Sequence, residues 1–176
     1  YFDDVEELRK AGIELEKKTL YGYAWNKIYD VEYLKKIGVE FQKITLIEDI
    51  MYNVEVFTEI ERLNVLETTP YNYKKRINAS LTNKFVKDYY ELHKQRVEMI
   101  LNQYKTWGLC DDNVKKALAD IYARYIFSAL QRNCDKRSKM NHKDRKEWLK
   151  NILCEELWIE LSPYLTLNIS LQGILS

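Results

Sequence analysis

Glycine and proline are scarce in this 176-residue sequence, with five Gly and two Pro. Few residues of either kind leave few sites for tight turns, so long helices are expected. Cysteine is sparse as well. Cys110, Cys134 and Cys154 are odd in number, widely spaced and without a CxxC pair. That pattern argues against a disulfide framework and against a zinc site, and it suits a reducing compartment. No apolar run approaches the ~18 residues of a membrane span, and no basic-then-apolar signal segment opens the chain, so a cytoplasmic protein is expected. An excess of either charge is missing too, with 28 Lys and Arg against 27 Asp and Glu. No global field therefore draws the molecule to nucleic acid or to an anionic membrane, and any electrostatic function must be local. A basic, aromatic-interleaved platform is absent, which excludes nucleic acid as an expected partner.

What is present is apolar and aromatic. Hydrophobic residues make up 46% of the chain, with 14 Tyr and 4 Trp. A chain of this length buries on the order of 70% of its unfolded surface, enough for a core without covalent staples. Residue 1 is Tyr, so the sequence reads as part of a longer protein.

The texture changes near residue 82. In 1–82, Asp3 to Lys18 fits a surface helix interrupted near Gly12. Asp30 is placed to cap a helix through Lys36, with Gly38 as its left-handed stop. Ile44-Thr45-Leu46-Ile47 reads as a buried strand or an extended lead-in to Glu48-Asp49. From there Ile50, Val54, Phe57 and Ile60 recur at helical spacing, which puts both acids in the first turn of a helix. Arg62–Glu67 and Tyr71–Lys75 read as two short strands around Pro70. In 83–176, Thr82 or Asn83 is placed to cap a helix carrying Val86, Tyr90, His93, Val97, Ile100 and Tyr104, ended by Gly108. Asp111 or Asp112 opens a second helix, with Val114, Ala117, Ile121, Tyr125 and Ala129 on one stripe, closing near Asn133. Leu149, Ile152, Leu153, Leu157 and Leu161 mark a third, stopped by Pro163. Short connections favour antiparallel packing of neighbours. The tail from Leu165 to Gln172 alternates as a strand does, with a frayed helix as the other reading.

Trp25-Asn26-Lys27-Ile28-Tyr29, then Ile47-Glu48-Asp49, then Tyr71-Asn72-Tyr73-Lys74-Lys75-Arg76 with Ser80, together resemble a run of family 2 glycosyltransferases. These are GT-A-fold enzymes of the kind that build bacterial surface polysaccharides. The resemblance covers about residues 20 to 82, and the order and spacing of the motifs carry it rather than any one of them. It implies an α+β, mainly helical class: a remnant of the acceptor-side half of a GT-A α/β domain over 1–82, followed by an antiparallel helical extension over 83–176.

Inverting transfer from a nucleotide sugar needs a carboxylate to take the proton of the acceptor hydroxyl as its oxygen attacks the anomeric carbon. The family places this base at its E-D, which falls here on Glu48 and Asp49. Negative charge at a helix N-terminus is stabilised by the free N–H groups there. The resemblance implies Asp49 as the base and Glu48 as the neighbour that orients the acceptor or the loop; the other reading is that both acids cap the helix. Asn26 and Lys27, beside Trp25, either face a sugar or tie a buried turn. Tyr73 and Arg76 map onto the segment where a cation meets the leaving diphosphate, against the alternative of a solvated basic patch.

The departure from the family lies upstream. A D-x-D that holds a divalent metal on the diphosphate is expected in the first βαβ units, and Asp3-Asp4-Val5 has neither its spacing nor its distance from Glu48. The resemblance thus implies that Mg or Mn belongs to a full-length enzyme, with none bound by this chain, and that this chain alone does not turn over. Its partners would be a nucleotide-sugar donor and a sugar or lipid-linked acceptor.

Other features are weaker. His93 and His142 lack companions at ligand spacing, so no metal site is expected. Between Arg132 and Lys150 stand eight Lys or Arg against three acids, with Trp148 beside them. This stretch is either a peripheral contact with anionic lipid or a solvated connection between helices. The competing function is a helical interaction module, in which aromatic faces of residues 83–161 dock a partner or a second copy of the chain.

Overall fold

The computed structural model describes residues 2, 4–44, 46–68, 71–72 and 85–166. Tyr73, Arg76, Ser80, the Thr82/Asn83 cap, most of the second expected strand and the tail beyond 166 lie outside the described residues. The chain divides into two compact units: Tyr1–Lys84 with Asn102–Leu109, and Phe85–Leu101 with Cys110–Ser176. Among the described residues the α-helices are, in order, α1 Val5–Lys17, α2 Val31–Ile37, α3 Glu48–Thr58, α4 Tyr89–Thr106, α5 Asp112–Asn133, α6 His142–Leu153 and α7 Glu156–Leu161. None of the helices among the described residues is long and apolar enough to cross a membrane.

The local signals act as their chemistry requires. Asp4 caps α1 by accepting the Glu7 N–H, and Asp30 caps α2 through the Glu32 and Tyr33 N–H groups. Gly38 ends α2 with φ +64°, a conformation that glycine enters without a Cβ penalty. Asp111 caps α5 through the Val114 N–H. Asn141 and Asp144 form a reciprocal capping box that opens α6.

In the first unit α1 runs unbroken through Gly12, where the sequence suggested an interruption. A Cβ at Gly12 would lie 2.8 Å from the Tyr104 hydroxyl, which donates to the Arg9 carbonyl at 2.7 Å. The missing side chain admits a buried tyrosine rather than breaking the helix. Leu8 and Ile13 of α1 and Ile50, Met51, Val54 and Phe57 of α3 are buried with Tyr21. Tyr21 packs on Phe57 with ring centroids 4.5 Å apart. Its hydroxyl donates to Gln103 Oε1 at 2.6 Å, and Gln103 Nε2 donates to the Val54 carbonyl and Thr58 Oγ1. A buried amide with both ends satisfied fixes the core without an unpaired polar group.

The strand expected over Arg62–Glu67 does not form. Among the described residues the extended pairing is one isolated bridge, Phe2 with Leu63. Leu46 takes φ +91°, which turns the chain sharply before α3. Arg62–Glu67 has the alternation of a strand but finds no ladder beyond Leu63, and backbone without a partner stays irregular.

The second unit packs Tyr90, Val97 and Ile100 of α4 with Leu118, Ile121, Tyr122 and Ile126 of α5, Leu149 and Ile152 of α6, and Leu157 and Leu161 of α7. The sequence suggested one helix over 149–161. It is two, broken at Cys154–Glu155. The break brings the Glu155 carboxylate to the Lys94 ammonium at 2.8 Å and lets it accept from the Tyr90 hydroxyl at 2.8 Å. Tyr90 in turn shares a 2.6 Å hydrogen bond with Tyr122. Burial pushes both phenols well above their ordinary range, so each stays a neutral donor. Pro163 stands in the short 3-10 turn Ser162–Tyr164 that follows α7.

Candidate functional site

The first turn of α3 and the loop after α1 form one constellation. α1 stops at Thr19, whose φ of +58° reverses the chain. Residues 20–29 then fold against α3. Ala24 N–H donates to Asp49 Oδ2 at 3.2 Å. Asn53, one turn further along α3, is fully buried. Its Nδ2 donates to the Gly22 carbonyl at 3.0 Å and the Asp49 carbonyl at 2.7 Å, while its Oδ1 accepts from the Tyr29 hydroxyl at 2.8 Å. The loop is held at both ends by one side chain that the sequence reading did not single out.

Asn26 and Lys27 close the loop on itself. The Lys27 ammonium donates to the Leu20 and Tyr23 carbonyls, each at 2.7 Å, and to Asn26 Oδ1 at 2.9 Å. All three of its donors are thereby used, which favours the turn-tying reading of the pair. Burial lowers the Lys27 pKa to about 8, while the charges of Asp49 and Glu16 pull it upward. The unfolded chain keeps this proton up to about 10.5. Below pH 8 both states are protonated. Between about 8 and 10.5 the unfolded state binds more protons, so this residue makes stability rise with pH in that window. Urea-unfolding midpoints measured from pH 8 to 10 should show a rise that Lys27→Met flattens; equal slopes in the two proteins would rule out Lys27 as its source.

Glu48 and Asp49 occupy the first turn of α3, but neither caps it. The N-cap position is Ile47, which makes no side-chain hydrogen bond. Among the described residues the hydrogen bonding of the Asp49 carboxylate is confined to Oδ2, which the Ala24 N–H orients. Oδ1 makes no hydrogen bond among the described residues. Glu48 is half-buried, and its Oε2 is buried without a hydrogen-bond partner among the described residues. An acid in that position costs stability unless something beyond these side chains meets it.

On either side of Ala24 in the chain, Tyr23 and Trp25 belong to an aromatic rail. The Trp25 ring sits 5.4 Å from Tyr23 and 5.0 Å from Tyr71, centroid to centroid, with tilts near 30°. Trp25 is 41% exposed, Tyr23 44% and Tyr71 52%. Three large rings left at the surface in a row are unusual where a buried core exists to receive them. No family model, curated protein or solved structure matches this chain.

Trp25, Asn26, Lys27, Glu48 and Asp49 thus come together around one helix start, while Tyr73 and Arg76 lie outside the described residues. Among the described residues no group of three or more His, Cys, Asp or Glu is gathered to hold a metal. In the 132–150 stretch, Trp148 turns inward to meet Tyr90 edge-on at 5.4 Å. Arg137 is paired with Asp135 at 2.7 Å, and Arg145 donates to the Met140 carbonyl. Lys136, Lys139, Lys143 and Lys150 remain exposed.

Proposed function

We propose that this chain is the carboxyl-terminal, acceptor-side portion of a nucleotide-sugar-dependent inverting glycosyltransferase of the family 2 kind, acting in bacterial cell-surface polysaccharide or glycoconjugate synthesis. One observation carries the reading: the Asp49 carboxylate is not spent on capping its helix but is turned toward the loop and fixed there by a single backbone N–H. A base needs this arrangement, one oxygen held and one open, beside a surface that orients the acceptor. The Tyr23–Trp25–Tyr71 rail suits that task, because the C–H face of a pyranose ring is apolar and packs on an aromatic face.

In the reaction, the acceptor hydroxyl gives its proton to Asp49 Oδ1 while its oxygen forms a bond to the anomeric carbon. The bond from that carbon to the nucleoside diphosphate breaks, and the diphosphate departs with the electron pair. Glu48 orients the acceptor or the loop. Tyr73 and Arg76 are assigned to the donor diphosphate by the motif alone. The divalent metal that the resemblance implies, Mg or Mn, would be held on the donor diphosphate by a D-x-D of the nucleotide-binding part. The reading requires a nucleotide-binding βαβ part outside this chain.

The test is transfer itself. A protein carrying this chain together with a nucleotide-binding part, offered a panel of nucleotide sugars and saccharides, should release nucleoside diphosphate in an acceptor-dependent way. Trp25→Ala should raise the acceptor KM about tenfold, the loss of roughly 1.4 kcal/mol of binding, with little change in kcat. Absence of acceptor-dependent release across the panel overturns the proposal.

A further inference from the structure

A second polar cluster lies wholly within the second unit, on facing turns of α4 and α5. His93 is 7% exposed, and its ring lies flat on Tyr125, with centroids 3.9 Å apart and planes 11° from parallel. Tyr89 meets the same imidazole edge-on at 4.3 Å. Two guanidinium groups close the cluster. Arg132 lies 4.2 Å over the Tyr89 ring, and Arg96 lies over Tyr125 and donates to its hydroxyl. Ser128 Oγ donates to the Tyr89 hydroxyl at 3.0 Å.

Cations on aromatic faces are common and need no ligand. Two further features set this cluster apart. His93 Nδ1 and Arg132 Nε are both buried and lack a hydrogen-bond partner among the described residues. The charges that act on His93 are moreover both cationic, Arg96 and Arg132, with no carboxylate among them. A buried donor left unpaired costs on the order of 1–3 kcal/mol, so an anion that met both groups would recover that cost.

The geometry points to a binding site for a phosphate-type oxyanion between α4 and α5, held by the Arg132 guanidinium and by His93 Nδ1. Planar guanidinium forks match the spacing of phosphate oxygens, and imidazole in the tautomer protonated at Nδ1 supplies one more donor. The tyrosine rings wall the cations and hold them in place. The oxyanion could be carried by a soluble phosphate or by a phospholipid headgroup. The site is separate from Asp49, and the proposal stands apart from the transferase reading.

His93 reports on the site directly. Burial, with both arginines adding to it, lowers its pKa to about 3, so the imidazole is neutral at pH 7. A bound anion opposes the arginine charges and should raise that value. The experiment follows the imidazole resonances of His93 by NMR while the protein is titrated with sodium phosphate, with sodium chloride at matched ionic strength as the control. His142, exposed at the start of α6, is the internal reference for bulk effects. A second arm uses phosphatidylcholine vesicles with and without phosphatidic acid.

A saturable shift of His93 in phosphate, weakened about tenfold or more in Arg132→Gln, supports a soluble source; a shift confined to phosphatidic acid vesicles supports a lipid source. No shift in either arm, a shift equal to that in chloride, or one unchanged in Arg132→Gln overturns the site. Should Arg132→Gln fail to fold by circular dichroism, Arg132→Lys keeps the charge and loses the fork, and the phosphate-against-chloride comparison on the unaltered protein decides by itself.

Discussion

Asp49→Asn should lower sugar transfer by about 10²- to 10⁴-fold in a protein carrying this chain with its nucleotide-binding part, the range that a positioned general base contributes, with nucleotide binding and fold kept. The fold is expected to survive because the amide oxygen of Asn can still accept the Ala24 N–H that Asp49 Oδ2 now receives. The exchange removes proton-accepting capacity and little else. Loss should fall on kcat and on kcat/KM alike, since the interaction matters as the hydroxyl loses its proton. Steady-state kinetics with thermal unfolding on the same preparations is the measurement. Near-normal turnover would remove Asp49 from the mechanism. A large fall in melting temperature would instead show a structural role, that of fastening the loop to α3. Glu48→Gln gives the contrast: Glu48 is assigned an orienting role, so its exchange should cost less than that of Asp49.

The largest effect on stability is expected at Asn53. This side chain is wholly buried and makes three hydrogen bonds, to the Gly22 carbonyl, to the Asp49 carbonyl and from the Tyr29 hydroxyl. Asn53→Ala leaves the Gly22 carbonyl and the Tyr29 hydroxyl without their partner and opens a small void. Stranded polar groups and lost packing together should destabilise by about 2–4 kcal/mol. For a chain of this size that is a fall of about 4–16 °C in melting temperature, because each kcal/mol moves the midpoint by about 2–4 °C. Asn53→Leu should do no better despite its similar volume, since the two partners would still be stranded. A change below about 1 kcal/mol in both variants would mean that the loop is held by other contacts. Because Gly22 and Ala24 share that loop, loosening it should also misplace the Asp49 carboxylate, and transfer should fall more steeply than the folded fraction alone explains.

Much of the helical framework was legible in the residues. Asp30 and Gly38 bracket α2, Asp111 opens α5, and Gly108 at φ +70° follows α4. Each signal acts over three or four residues through the chain's own N–H and carbonyl groups, so a local reading finds it. The apolar stripe from Tyr90 to Tyr104 was legible for the same reason, and its members are buried. The strands were misread because alternation is only half of a strand. Arg62–Glu67 carries the pattern, but the other half is a neighbouring strand, and Leu63 finds only Phe2. The single helix expected over 149–161 failed at Glu155, where a salt bridge with Lys94 lies across the unit, 61 residues away in number, and no periodicity reports it.

The candidate site divides along the same line. Periodicity put Glu48 and Asp49 in the first turn of a helix, and motif order drew attention to Trp25, Asn26 and Lys27. Nothing in the spacing said that the Asp49 carboxylate would turn to Ala24, that Lys27 would spend its ammonium on its own loop, or that Asn53 would hold the assembly. His93 stood out as a member of an apolar stripe and as a histidine without companions at ligand spacing, and the arginines that flank it come from two helices.

By itself, then, the order of residues determined the capped helix ends, such as those at Asp30, Gly38 and Asp111, and which faces are apolar, since those depend on backbone groups within a turn of the residue concerned. Tertiary structure alone decided which polar groups meet. The bond from Asn53 to Gly22 spans 31 residues and that from Tyr104 to Arg9 spans 95. Their partners are chosen by the packing of helices around a core, and a hydrogen bond accepts only the atoms that packing brings within about 3 Å.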